Sequence, residues 1–192
     1  FTGFKKHLVD DQIIDRFYEG ETVQLEKEEG KFFPNQFIML VSSSNEKKTA
    51  LAFFRNYNIP LTKINPKEEA VWGLRPKNKE QSFALELLLN DEVPIVTSIG
   101  KAGCGKTLLA IAAGLDLVME KKIYNKLVIS RPIQPLGKDL GYLPGTIAEK
   151  MAPWLMPVRD NLEFLLNGGT RTNGSKSSKF NVDFLFENGT IE

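Results

Sequence analysis

Residues Pro94 to Met119 read PIVTSIGKAGCGKTLLAIAAGLDLVM. The run Ile95-Val96-Thr97-Ser98-Ile99 is apolar and β-branched, the composition of a strand buried in a parallel sheet. An octet with the spacing G-x-x-x-x-G-K-[ST] follows, and then an apolar helix. Gly100, Lys101, Ala102, Gly103, Cys104 and Gly105 make the loop; Lys106, Thr107 and Leu108 make the helix start. Glycines let such a loop curl through positive φ, so that successive N–H groups converge into a nest for phosphate oxygens. The loop delivers those oxygens to a helix N-terminus, where unpaired amides and the dipole favour an anion. Residues 100–108 are therefore the candidate nucleotide-binding set. Lys106 reads as a mobile charge on the β- and γ-phosphates and Thr107 as the Mg²⁺ ligand, and these two are the candidate catalytic residues. With glycine near 7% of residues, chance produces this spacing in roughly 1% of sequences of this length. The flanking strand and helix are what the motif requires.

Composition sets the outer limits. The chain has 192 residues, 42% of them hydrophobic and 26% charged, which suits a globular domain with a smaller appendage. Lys+Arg 25 against Asp+Glu 24 leaves a net charge of +1, so any nucleic-acid site has to be local. A single cysteine excludes an intrachain disulfide and fits a reducing compartment, here expected to be the cytoplasm. No apolar run reaches spanning length, so no membrane partner is expected. The sequence begins with Phe1 rather than Met and stops in mid-pattern, so a longer parent protein is expected.

Residues 1–20 predict an extended lead-in and one helix. Asp10 or Asp11 caps it, Ile13, Ile14 and Phe17 form its apolar face, and Gly20 stops it. His7, the only histidine, has no ligand cluster near it and reads as a surface residue. Runs at 22–25, 37–41 and 49–53 read as strands, the last two joined as a hairpin through Ser42 to Lys48. Residues 1–68 thus form a small antiparallel β module, and 69–192 form the main domain. The boundary lies in the proline-containing stretch 65–76, where Trp72 is either a packing anchor or a stacking platform for a base.

Residues 77–90 predict a helix with Asn78 as N-cap and Gln81 at its third position, a capping-box arrangement. Strand 95–99, the loop, helix 106–120 and strand 126–130 make a βαβ unit, and so a parallel sheet with flanking helices. Helices near 145–151 and 155–166, a polar loop over 167–181, a strand at 182–186 and an Asn188-Gly189 hairpin turn complete the reading.

Three stretches carry a resemblance. Arg75-Pro76-x-Asn78-x-x-Gln81, GKAGCGKT and SRPIQPLGKDLGYLPGTIAEKMAPWLMPVRDNL resemble the PhoH family. These are the phosphate-starvation-inducible ATPases related to the RecA-like core of superfamily 1 helicases. The resemblance covers roughly residues 70–166. Residues 1–65 resemble, more weakly, the linker module that follows a PIN nuclease domain in PIN–PhoH fusions. The family implies a P-loop NTPase fold, binding of ATP or ADP with Mg²⁺, and hydrolysis coupled to work on single-stranded RNA.

It also implies adenine reading by Gln81, whose amide offers the donor and acceptor for N7 and the exocyclic amine; completing the helix cap is the competing role. Arg131, Lys138 and Arg159 are implied as nucleic-acid contacts, with an ion pair to Asp139 the alternative for Arg131. Family members tend to form rings, so a homo-oligomer is expected of the full-length protein. After the loop, no apolar strand ends in Asp-Glu. The family places that Mg²⁺-holding strand, together with the sensor and arginine residues, beyond residue 192, so nucleotide binding is expected of this stretch rather than hydrolysis. A nucleotide-gated binding module without motor activity is the alternative reading. A small-molecule kinase would need an arginine-rich lid, and the segment after 131 has too few arginines.

Overall fold

The computed structural model describes residues 3–27, 30–64, 70–130, 147–167 and 181–192. The chain divides into two compact units: residues 1–69 with 78–87, and residues 70–77 with 88–192.

The first unit is a four-stranded sheet in the order β1-β2-β3-β4, with β1 at Phe4–Val9, β2 at Gln36–Ser42, β3 at Thr49–Phe54 and β4 at Thr62–Lys63. The hairpin of β2 and β3 forms as its two apolar runs and polar link predict, Ile38 opposite Ala52 and Leu40 opposite Ala50. The expected all-antiparallel module is corrected by β1, which runs parallel to β2. FKKHLV carries two lysines and a histidine, and only its non-local partner reveals it as a strand. The expected strand at 22–25 is not one: it is irregular chain, with Leu25 buried in the core and the Val23 carbonyl accepting from Leu61 N.

Helix α1, Asp11–Glu19, joins β1 to β2. Asp10 caps it by accepting from Gln12 N at 3.1 Å, and Gly20 closes it at φ 96°, a left-handed conformation in which a side chain would be strained. Its Ile14 and Phe17 bury against Ile38, Leu40, Ala52 and Phe54 on one face of the sheet. The other face is covered by α2, Lys79–Leu89, whose Phe83 stacks on Phe37 at 4.2 Å and 11° and packs with Phe53 and Ile64. Strand β2 is thus covered on both sides, which explains its nearly unbroken apolar run. His7 lies edge-on to Phe32 at 5.4 Å, half-buried rather than fully at the surface.

Ser42, fully buried, ties helix and hairpin together. Its hydroxyl donates to Asp11 Oδ1 at 2.6 Å and accepts from the amides of Ser44 and Asn45 at 3.1 Å. Lys48 Nζ bridges Asp11 and Asp15, both at 2.7 Å. Bonds from Lys48 and Ser42 hold the Asp11 carboxyl below its ordinary value of 3.8, and the two aspartates hold Lys48 above its ordinary 10.5. A depressed carboxylate stabilises the fold above its unfolded pKa and loses that contribution as pH falls through the folded value. A raised lysine contributes below its unfolded pKa and loses its share as pH rises through the folded one. The pair is therefore fully effective from weakly acidic to weakly alkaline pH. Asp11→Asn is expected to flatten the fall in urea-unfolding stability between about pH 5 and pH 3, and a slope equal to wild type would refute the assignment.

The second unit is built around α3, Lys106–Leu115, which buries Leu109, Ile111, Ala112, Ala113 and Leu115 and continues as a π turn over Asp116–Glu120. The turn closes through Lys121 N to Asp116 O at 2.8 Å, and the two side chains pair at 3.1 Å. Helix α3 packs on α4, Ile147–Leu166, and α4 on α5, Val182–Glu187.

Four expectations change here. The two helices around 145–166 are one, running through Pro153 and Pro157. An interior proline costs on the order of 3 kcal/mol, and burial of Val158, Leu162, Leu165 and Leu166 on one stripe offsets it. Residues 182–186 form a helix rather than a strand: Asn181 caps it by accepting from Asp183 N at 3.0 Å, and Val182 and Leu185 are buried at helical spacing. Asn188-Gly189 turns the chain, with Gly189 at φ 72°, but builds no hairpin. It brings Ile191 beside Leu127 as a parallel pair, bonded Leu127 N to Thr190 O at 2.9 Å and Ile129 N to Glu192 O at 2.7 Å. The Ile95–Ile99 run pairs with no strand among the described residues, and Ile95 and Ile99 are 80% and 97% exposed. A β-branched run becomes a strand only when neighbours take its amides and carbonyls.

Candidate phosphate-binding site

The loop between Ile99 and α3 is shaped by its glycines. Gly103 and Gly105 stand at φ 77° and 90°, in the left-handed region where a side chain is strained. Gly100 is held by space instead: a Cβ there would lie 3.1 Å from Cys104 Sγ. Gly105 is the N-cap of α3, and no side chain caps that helix. Among the described residues, nothing accepts a hydrogen bond from the amides of Gly103, Gly105, Thr107 or Leu108. Lys101, Ala102, Gly103, Cys104 and Thr107 are exposed and Lys106 is half-buried. An uncapped helix start beside an accessible curl leaves the donors that an anion satisfies.

Lys106 folds back over this curl. Its ammonium donates to Gly100 O at 2.9 Å, Lys101 O at 2.8 Å and Cys104 Sγ at 3.5 Å. Thr107 stands in the first turn of α3, its side chain accessible. Two residues before the π segment, the Gly114 backbone lies against Leu127: a Cβ there would meet Leu127 Cδ1 at 2.7 Å. That contact fixes the helix beside the 127–129 segment. Reading the motif alone did not reveal it, and a glycine inside an otherwise apolar helix was the available signal.

The remaining sequence-derived residues are distributed differently. Gln81 N donates to Asn78 Oδ1 at 2.9 Å, so the cap on α2 is real, and Gln81 belongs to the first compact unit. Arg131 and Lys138 lie outside the described residues. Arg159 donates to Asp183 at 2.5 Å and pairs with Glu163 at 3.5 Å; these carboxylates, Asp183 foremost, raise its pKa. Trp72 sits half-buried at φ 50° in a tight turn closed by Val71 and Leu74, its Nε1 buried without a partner among the described residues. No described helix is long and apolar enough to cross a membrane.

A glycine-turned loop, an uncapped helix behind it and Lys-Thr as the first helical pair together define the P-loop class. Comparison with known proteins is narrower. The family model described as PhoH-like protein matches residues 73–192, and the chain belongs to the PhoH family. It is 44% identical over 168 residues to Protein PhoH2 of Bacillus subtilis, covering 87% of this chain and 38% of that protein. Over 99 residues it is 50% identical to Protein PhoH2 of Mycolicibacterium smegmatis, covering 51% of this chain and 23% of that one. Protein PhoH of Escherichia coli is 36% identical over 86 residues, 45% of this chain and 23% of that protein. The chain thus spans well under half the length of these curated relatives. No solved structure matches it.

Proposed function

We propose that the loop binds the polyphosphate of ATP and ADP with Mg²⁺, within a RecA-like P-loop domain whose complete protein hydrolyses ATP and remodels or unwinds single-stranded RNA. The observation that carries this reading is the set of amides at Gly103, Gly105, Thr107 and Leu108 that nothing in the described chain satisfies. Those donors, with the Lys106 ammonium, suit phosphate oxygens, and the Thr107 hydroxyl suits a hard cation such as Mg²⁺. Bound Mg·ATP would supply an activated phosphoryl group. The residues present bind and orient it and neutralise its charge. Gln81 is the proposed reader of adenine, and Arg131 and Lys138 the proposed RNA contacts. Arg159, already held by two carboxylates, is the weakest of that set. A cytoplasmic location and a ring of copies of the full-length protein belong to the same proposal.

The alternative is a nucleotide-gated module that binds RNA or a partner without turnover. ATPase rates with and without single-stranded RNA, measured on the full-length protein and on residues 1–192, separate the two. The motor reading expects turnover by the full-length protein that RNA stimulates; binding without turnover there would establish the switch. Cys104, exposed within the loop, reports occupancy. Saturating Mg·ADP is expected to slow its alkylation by iodoacetamide about tenfold or more, as tight binding shields the loop. Equal rates with and without nucleotide would refute the placement.

A further inference from the structure

Gly114 stands inside α3, although after proline glycine is the poorest residue for a helix interior. The reason is Leu127. A Cβ on residue 114 would meet both Leu127 methyls, at 2.7 and 3.1 Å, and its Cγ at 3.4 Å. Turning the isobutyl group about its last bond therefore only exchanges one methyl for the other. The Leu127 backbone is held as well. Its N–H donates to Thr190 O at 2.9 Å and its carbonyl accepts from Glu192 N at 3.0 Å. Ile191, between those two residues, is buried and donates to Leu185 O at 3.0 Å. A methyl at 114 has to open the contact by roughly 0.7 Å before ordinary van der Waals distance is reached. With Leu127 tied on both sides of its peptide, the partner that yields is the helix. Helix α3 is a ten-residue rod whose uncapped first turn carries Lys106 and Thr107. Lys106 is about 12 Å from Gly114 along the axis, at 1.5 Å per residue. We propose that Gly114 is a positioning residue for the phosphate-binding loop. By admitting Leu127 against its backbone, it sets where α3 stands relative to segment 127–129, and with it the amides and the Lys-Thr pair at the helix start. That role rests on the polyphosphate reading above and adds to it a residue that acts through the helix rather than by contact.

Gly114→Ala is expected to weaken Mg·ADP binding about tenfold by calorimetry, because groups displaced by a fraction of an ångström lose part of each contact. Leu127→Val draws the side chain back from residue 114. Alone it is a mild truncation, expected to bind within about twofold of wild type. Combined with Gly114→Ala it is expected to restore affinity to that same level. A second readout needs no nucleotide. The ¹⁵N-resolved amides of Gly105, Lys106 and Thr107 are expected to move in Gly114→Ala more than those of β2 and β3, and to return in the double variant. Helical rise puts them about 10–14 Å from residue 114, out of direct reach of one methyl group, so a displaced helix is what moves them. Melting curves check that the proteins compared are folded. Three results would overturn the proposal: a Gly114→Ala protein that binds as wild type with its loop amides in place, one that does not fold, or a double variant that restores neither readout. If wild type itself gives no heat with Mg·ADP, the polyphosphate reading fails, and the amide displacement with its reversal decides the positioning role alone.

Discussion

Lys106→Ala is expected to lower Mg·ADP affinity about 100-fold or more, with no loss of thermal stability. Each hydrogen bond from a charged donor contributes about 1.5–3 kcal/mol, and an ammonium placed between phosphate oxygens makes at least two. The stability half of the expectation follows from the contacts the lysine makes at rest. Its partners are two loop carbonyls and a thiol, all accessible to water, which can replace the ammonium. Titration calorimetry and a melting curve on the same preparation give both numbers. Affinity within threefold or so of wild type would mean that the lysine is not on the phosphates.

The second large effect concerns the fold. Phe83→Ala is expected to destabilise the first unit by about 3–5 kcal/mol, the usual range for deleting a buried phenylalanine ring. Phe83 is 7% exposed, stacks on Phe37 and touches Phe4 at 5.6 Å, so its removal uncovers one face of the four-stranded sheet. In a chain of two compact units a single unfolding midpoint is ambiguous, so the measurement is amide hydrogen exchange in the β2 and β3 peptides. Faster exchange there supports α2 as the sheet's second cover. Unchanged protection would place α2 elsewhere.

How much of this was legible in the sequence depends on whether the deciding contact is local. Helix α1 was readable to within a residue, with Asp10 or Asp11 as its cap, because Asp10, Ile14, Phe17 and Gly20 act within three turns of one another. The β2–β3 hairpin was readable from its two apolar runs and the polar link between them, and the loop from its spacing. Strand β1 was hidden because Lys5, Lys6 and His7 mask it and its partner β2 lies about thirty residues away. Residues 182–186 misled for a different reason: Val182, Phe184 and Phe186 alternate as a strand would, but the Asn181 cap and burial of Val182 with Leu185 select a helix and leave Phe184 47% exposed. In the site, the glycine curl and the helix behind it were legible, whereas the Cys104 contact, the approach of Gly114 to Leu127 and the pairing of Arg159 with Asp183 depend on tertiary placement.

The claim on which the account depends is that the amides of this loop receive phosphate. A ¹⁵N-resolved titration with Mg·ADP reads those amides one by one. The expected result is a saturable shift shared by Gly103, Gly105, Lys106 and Thr107, with a common midpoint. A titration that leaves these four in place, or moves them no more than the amides of β2 and β3, would contradict it.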